Sequence, residues 1–318
     1  MQKTISHNVS AVTKTKKSKL INDIKRDRLL YLMLLPVALY YIIFKYLPML
    51  GVSIAFKDYL PFLGIIKSPW AGLKHFERLF SNPDFFRLLR NSIVLAMYNI
   101  VFTFPLPIII ALLLNEIKSN KFKKTIQSLI YMPHFISWVV VVGICFTMLS
   151  NQDGIVNNII ASIGGHQINF LGSKAWFRPL ITMQVAWKET GWGTIIYLAA
   201  LTSVDVQLYE AAIVDGANRW HQLLHITLPA IKSTIVILLI LRMGAFLDSG
   251  FDQLFLMVNS LNRDIGDVFD TYVYNALMTQ NNLGMSSAAG LYQSVVGFVL
   301  VILVNWVIKK ISPEDALI

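Results

Sequence analysis

The chain has 318 residues, 55% of them apolar and only 14% charged, and a soluble fold this apolar could not cover its surface. The formal net charge is +10, but it comes with few charges overall, which disfavours a nucleic-acid-binding protein and suits a polytopic membrane protein whose basic residues are sorted to one side. A lone cysteine, Cys145, excludes an internal disulfide and any zinc site built on two or four cysteines.

Residues 1–29 form a basic tail, with eight Lys and Arg against Asp23 and Asp27. A topogenic role and attraction to anionic lipid explain such a tail more simply than nucleic-acid binding does. Its length, the long apolar run behind it and the lack of a small-x-small cleavage site predict an uncleaved first span rather than a signal peptide. A spanning helix needs about 20 mostly apolar residues, and six segments qualify: 30–55, 92–114, 125–149, 179–201, 230–247 and 286–308. The fourth and fifth contain charge. Prolines within them are tolerated where neighbours satisfy the freed carbonyls.

Between the first two spans, Asn82 followed by Pro83 reads as a helix start, and an amphipathic interfacial helix is expected to feed span two. Residues 248–285 are acidic, with five aspartates against Arg263. Lys118, Lys121, Lys123 and Lys124, then Lys309 and Lys310, fall on the same side as the basic tail. The positive-inside bias makes that side cytoplasmic, with both termini inside. The expected class is all-α, a polytopic membrane protein with six transmembrane helices. Its parts are a tail at 1–29, the first span and outer loop at 30–91, a core at 92–308 and a second tail at 309–318.

Spans four and five are joined by a cytoplasmic segment, 205–229. It reads as a short helix from Asp205, a break at Gly216 and a second short helix ending before Pro229. Ala211 and Ala212 leave one face shallow, Glu210 and Asp215 add negative charge on a basic side, and Gly216 permits a turn that a side chain would resist. On physics alone, a hairpin that merely joins two spans explains the segment equally well.

Glu210, Ala211, Ala212, Gly216, Ile226, Leu228 and Pro229 stand at the spacing of the EAA motif, and the segment resembles that of permeases in type I binding-protein-dependent ABC importers. At about 10% usage per position, a chance match of all seven in a chain of this length is on the order of three in a hundred thousand. Asp215-Gly216-Ala217 is similar to the carbohydrate-uptake branch, as are Trp187, Gly191, the run Tyr197–Leu201, and Asp84-Phe-Phe before Asn91-Ser92. The stretch Tyr46–Tyr59 resembles the LplB-type subgroup, linked to oligosaccharide and polysaccharide uptake. The resemblance implies the type I permease fold and a coupling helix docked on a cytoplasmic ATPase. It also implies a second homologous permease, two ATPase copies, an extracellular solute-binding protein and a bacterial inner-membrane location, with no nucleic acid involved.

No Gly-Lys dipeptide occurs, so a phosphate-cradling P-loop is missing; ATP and Mg are expected to be used by the partner ATPase, with no cofactor on this chain. His221 and His225 have the i, i+4 spacing of zinc ligands, but Gln222 replaces the glutamate of H-E-x-x-H and no third ligand is evident. A charge inside a span costs about 3 kcal/mol facing lipid, so intramembrane charges point to a transport path. Lys188, Glu189 and Arg242 are such charges, with Trp187, Trp192 and Tyr197 flanking the first two; aromatics beside hydrogen-bonding groups suit a sugar. Lys45 in span one is a further charge. The Lys188–Glu189 pair could equally meet a partner subunit, and the tryptophans could be interfacial belt. An ion-driven secondary transporter would show internal repeats, which are not evident; a permease for a non-sugar solute is the nearer alternative. A scaffold or membrane enzyme would need no coupling loop.

Overall fold

In a bilayer every backbone polar group must be satisfied within the protein, which leaves helices as the solution for an apolar chain of this kind. The computed structural model describes residues 26–279 and 281–315, and these are helical with no strand beyond an isolated bridge between Lys57 and Trp70. Most of the basic tail, residues 1–25, and the last residues, 316–318, lie outside the described set. Two compact units divide the chain between Ser53 and Ile54. Helix α1, Arg28–Phe56, supplies the first up to Ser53, with Pro36 inside it and a π-helical turn at Ile42–Tyr46 that carries Lys45.

The second unit begins with α2, Lys74–Phe80, and α3, Phe85–Asn115. Pro83 lies outside α3, and the Asn82 side chain accepts from the Asp84 backbone N–H at 2.9 Å, closing the turn that launches it. The amphipathic start of α3 runs straight into the second span. Its apolar face does not lie on a membrane surface: Phe85 and Leu88 are buried with Leu247, Phe269, Met285 and Ala289. A π-helical turn at Asn99–Thr103 precedes Pro105 and Pro107, so the missing proline donors are absorbed where the helix is already widened.

The segment expected as one span at 125–149 is broken. Helix α4, Asn120–Tyr131, runs into a tight turn at Met132–Phe135, and α5, Trp138–Leu149, leaves at 99° with Ser137 as its N-cap. Buried Pro133 has no N–H with which to continue α4, and the Ser137 hydroxyl accepts from the Val140 N–H in the first turn of α5. Helix α6, Ile155–Ser162, follows, and then α7, Lys174–Thr202, a single 29-residue helix with Pro179 inside it. Short α8, Val206–Val214, leads to α9, Arg219–Gly244. The acidic outer segment folds into α10, Phe251–Met257, α11, Arg263–Gly266, and α12, Phe269–Met278, and α13, Leu283–Ile311, completes the chain.

By length and apolarity, four of these helices can cross a membrane, or five if the bent pair α4–α5 counts as one span. The expected six therefore requires α7, which is long enough but carries Lys174, Arg178, Lys188 and Glu189. It packs along the second half of α3 and against α9, and such charges are tolerable in a span only when turned into the protein.

Buried amides hold the outer segment down. Asn91 donates to the Asp264 and Asp267 carbonyls, both at 2.9 Å, and Gln253 donates to Gln184 at 2.7 Å. Half-buried Asp270 accepts from the Ser249 backbone N–H and from Gln293, each at 2.9 Å, and loss of water on burial pushes its carboxyl above the usual carboxylate range. An acid raised on folding binds its proton more tightly in the native state, so its contribution is complete below the unfolded value and is lost as pH rises through the folded one. Asp270→Asn should remove that loss, since Gln293 can turn its amide to meet the new one. Apparent melting of the detergent-purified protein should then depend less on pH as it rises above about 4, the ordinary aspartate value; equal slopes for both proteins would contradict this.

Candidate functional site

The hairpin between α7 and α9 is built by local chemistry. Asp205 caps α8, its carboxylate accepting from the Gln207 N–H at 2.9 Å. At the other end Gly216 adopts φ +78°, the Gly216 N–H reaches the Ile213 carbonyl at 3.0 Å, and the Ala217 N–H reaches that of Ala212 at 2.8 Å. This paired closure is the Schellman motif, and it needs a residue that accepts the left-handed region. Asn218 then caps α9 by accepting from the His221 N–H at 2.9 Å. The break expected at Gly216 is therefore present.

The expected second end is not. The helix that starts at Arg219 continues through a π-helical turn at Leu223–Thr227 and past Pro229 to Gly244. Pro229 sits where the widened turn hands over to regular helix, so the lost donor does not stop the chain. The loop is thus continuous with the span it was expected to precede.

Cross-links make the hairpin one body with the base of α9. The Tyr209 hydroxyl lies 3.0 Å from that of buried Thr227, Gln222 donates to the Ala217 carbonyl at 3.0 Å, and Arg219 pairs with Glu116 at the end of α3 at 3.0 Å. Ala212 and Ala217 form the small-residue floor of a groove of about 290 Å³, walled by His221, Gln222, His225 and Ile226. The two histidines stack on each other, with His225 Nδ1 bonded to the His221 carbonyl. Glu210, Ala211, Asp215, Gly216 and Pro229 are exposed, and Leu228 is half-buried. Around them Val206, Leu208, Ile213 and Val214 are exposed, Val214 at 87%. A rigid hairpin thus presents apolar side chains and two carboxylates outward.

The intramembrane candidates separate into three places. Lys188 is buried, donates to the His134 carbonyl at 2.5 Å, lies 3.5 Å from Glu189 and sits over the Trp138 ring. Glu189 meets His134 Nδ1 at 2.8 Å, and the His134 ring stacks on Trp192 with centroids 4.6 Å apart. The break between α4 and α5 puts His134 there; in the sequence only its place beside Pro133 marks it. Glu189, Trp192 and Arg242 line one cavity of about 360 Å³, with Asn99, Thr103 and Thr190 beside them. Tyr197 is elsewhere: its ring is buried among Ala111, Leu114, Leu201 and Ile231, where α3, α7 and α9 pack. Trp187 is half-exposed and lines none of that cavity. Thr190 and Asn99 escaped the sequence reading because a neutral polar residue in a span gives no signal until the fold aims it.

Residues 86–313 match the family of binding-protein-dependent transport system inner membrane components. Protein LplB of Bacillus subtilis is 55% identical over 291 residues, 92% of each chain. The polygalacturonan/rhamnogalacturonan transport system permease protein YteP of the same organism is 52% identical over 301 residues, 95% of this chain and 94% of its own. Among solved structures, a bacterial ABC transporter involved in the import of the acidic polysaccharide alginate has a chain with a TM-score of 0.83 at 40% identity, covering 92% of this chain and 99% of that one. A chain of a bacterial alginate ABC transporter in complex with an alginate pentasaccharide-bound periplasmic protein matches equally, with a TM-score of 0.83 at 40% identity over 92% of this chain and 98% of that one.

Proposed function

Because this chain belongs to the binding-protein-dependent transport system inner membrane components, we propose that it forms half of the translocation path of an ATP-driven oligosaccharide importer. It is a multi-pass membrane transport subunit and not an enzyme. In this reading a second, similar permease completes the path, two ATPase copies sit on the cytoplasmic side, and an external binding protein delivers the sugar. Both termini are cytoplasmic by the distribution of Lys and Arg. ATP and Mg are used by the ATPase, and this chain holds no cofactor.

The observation that carries the coupling role is the hairpin around Glu210 and Gly216, which is bonded to the base of α9 yet turns apolar and acidic side chains outward. A body of that kind, docked in an ATPase cleft, moves as a unit when the cleft closes, and α9 follows it. Nucleotide then biases one of two packings. The oligosaccharide class rests on the relatives: one is a polygalacturonan/rhamnogalacturonan permease and another imports alginate.

The test is reconstitution of the four-component assembly in proteoliposomes. Binding protein loaded with sugar should stimulate ATP turnover, and labelled oligosaccharide should accumulate only with ATP on the ATPase side. Uptake by this chain alone on a sodium or proton gradient would overturn the reading.

A further inference from the structure

The cavity bounded by α3, α7 and α9 contains one charge left over. Glu189 is already matched, by His134 at 2.8 Å and by the Lys188 ammonium at 3.5 Å. Arg242 lines the same cavity, is half-buried, and has no hydrogen bond or ion pair among the described residues. A guanidinium cannot escape by losing its proton. It sits in the last turn of α9, where the carbonyl end of the helix favours a cation.

We propose that this cavity is a transit site for an anionic sugar, with the uronate carboxylate held by Arg242, ring hydroxyls by Asn99 and Thr103, and a sugar face against Trp192. The inference rests on the importer reading and adds the substrate's charge to it. Glu189 would repel a carboxylate if it stood alone; its pairing with Lys188 and His134 leaves the site a net cation for an incoming anion. The fork of a guanidinium matches a carboxylate with two parallel charge-assisted bonds, stronger than those it can give the hydroxyls of a neutral sugar. At about 360 Å³ the space is at the lower end of small-ligand sites, which suits one ring at a time along a chain being threaded.

Trp192 serves as the reporter. The full assembly in detergent is titrated with trigalacturonate and with its methyl ester, which differ only in the carboxylates, and tryptophan emission is followed against a Trp192→Phe background. Trigalacturonate should bind at least about tenfold more tightly than the ester, the usual weight of a charge-assisted hydrogen bond. Arg242→Gln should bring the two within about twofold, and Arg242→Lys should restore part of the preference. Equal binding of acid and ester by the unaltered assembly, or a preference that survives Arg242→Gln, would overturn the proposal. So would loss of the second permease from the purified Arg242→Gln assembly without any carboxylate preference in the parent, since Arg242 would then be an inter-subunit partner. ATP turnover stimulated by loaded binding protein is measured on the same preparation. Its presence with no acid preference removes this proposal alone, and its absence removes the importer reading as well.

Discussion

Gly216→Val is expected to leave the protein in the membrane while cutting sugar-stimulated ATP turnover by about tenfold or more. A Cβ at position 216 meets nothing within 4 Å, so the substitution is not a steric clash. It is conformational: φ of +78° lies in the left-handed region, which costs an ordinary residue about 1–2 kcal/mol and a β-branched one more. The chain relaxes by opening the paired closure on the Ile213 and Ala212 carbonyls, and α8 then leaves the base of α9 at a different angle. A lever that no longer points into its cleft cannot transmit closure, and 1.4 kcal/mol lost at such a step is already a factor of ten. Gly216→Asn should recover much of the stimulation, because asparagine tolerates that conformation. Asparagine performing as badly as valine would refute the conformational account. Glu210→Lys tests contact rather than shape: Glu210 is exposed and has no partner among the described residues, so the fold should survive while copurification with the ATPase falls.

Gly191→Val should have the largest effect on folding. At this position α7 lies against the turn of chain that ends α4, and an added Cβ would coincide with the backbone carbonyl of Ile130. Backbone cannot rotate aside as a side chain can, so the two helices must separate, and with them the Lys188–His134 and Glu189–His134 contacts a few residues away. Overpacking of this kind costs about 3 kcal/mol or more. The yield of monodisperse protein in detergent should collapse, and any recovered fraction should melt several degrees lower. Gly143→Ala is the control, because a Cβ there has open space and alanine is the better helix former. A Gly191→Val protein as stable as that control would show that the helices do not approach as closely as described.

Not everything was equally legible. The ends of α8 were readable because Asp205 and Gly216 act on their immediate neighbours, and a cap or a left-handed turn is settled within four or five residues. The path of the chain past Pro229 was not, since proline ends a helix in isolation but not behind a widened turn. The same holds for 125–149, where apolarity indicated one span and the combination of Pro133 with Ser137 made two helices at 99°. Tyr197 looked like a path residue because it is an aromatic on the same helix as Lys188 and Glu189, about two and a half turns further on. It is buried because that turn of α7 faces α3 and α9.

Composition, the presence of long apolar segments and the clustering of Lys and Arg in particular connecting segments were legible in the sequence alone, because they depend on the free energy of placing each residue in lipid or water, summed along the chain. The seven-residue pattern of the hairpin belongs with them, being local in spacing and in chemistry. Only the tertiary structure decided which of the three charges Lys188, Glu189 and Arg242 stays unmatched. Lys188 and Glu189 are neighbours in sequence, but their shared partner His134 is 54 and 55 residues away, brought in by the break between α4 and α5. Arg242 comes from a third helix. Electrostatic balance depends on distances of a few ångströms between atoms far apart in the chain, and only packing sets those.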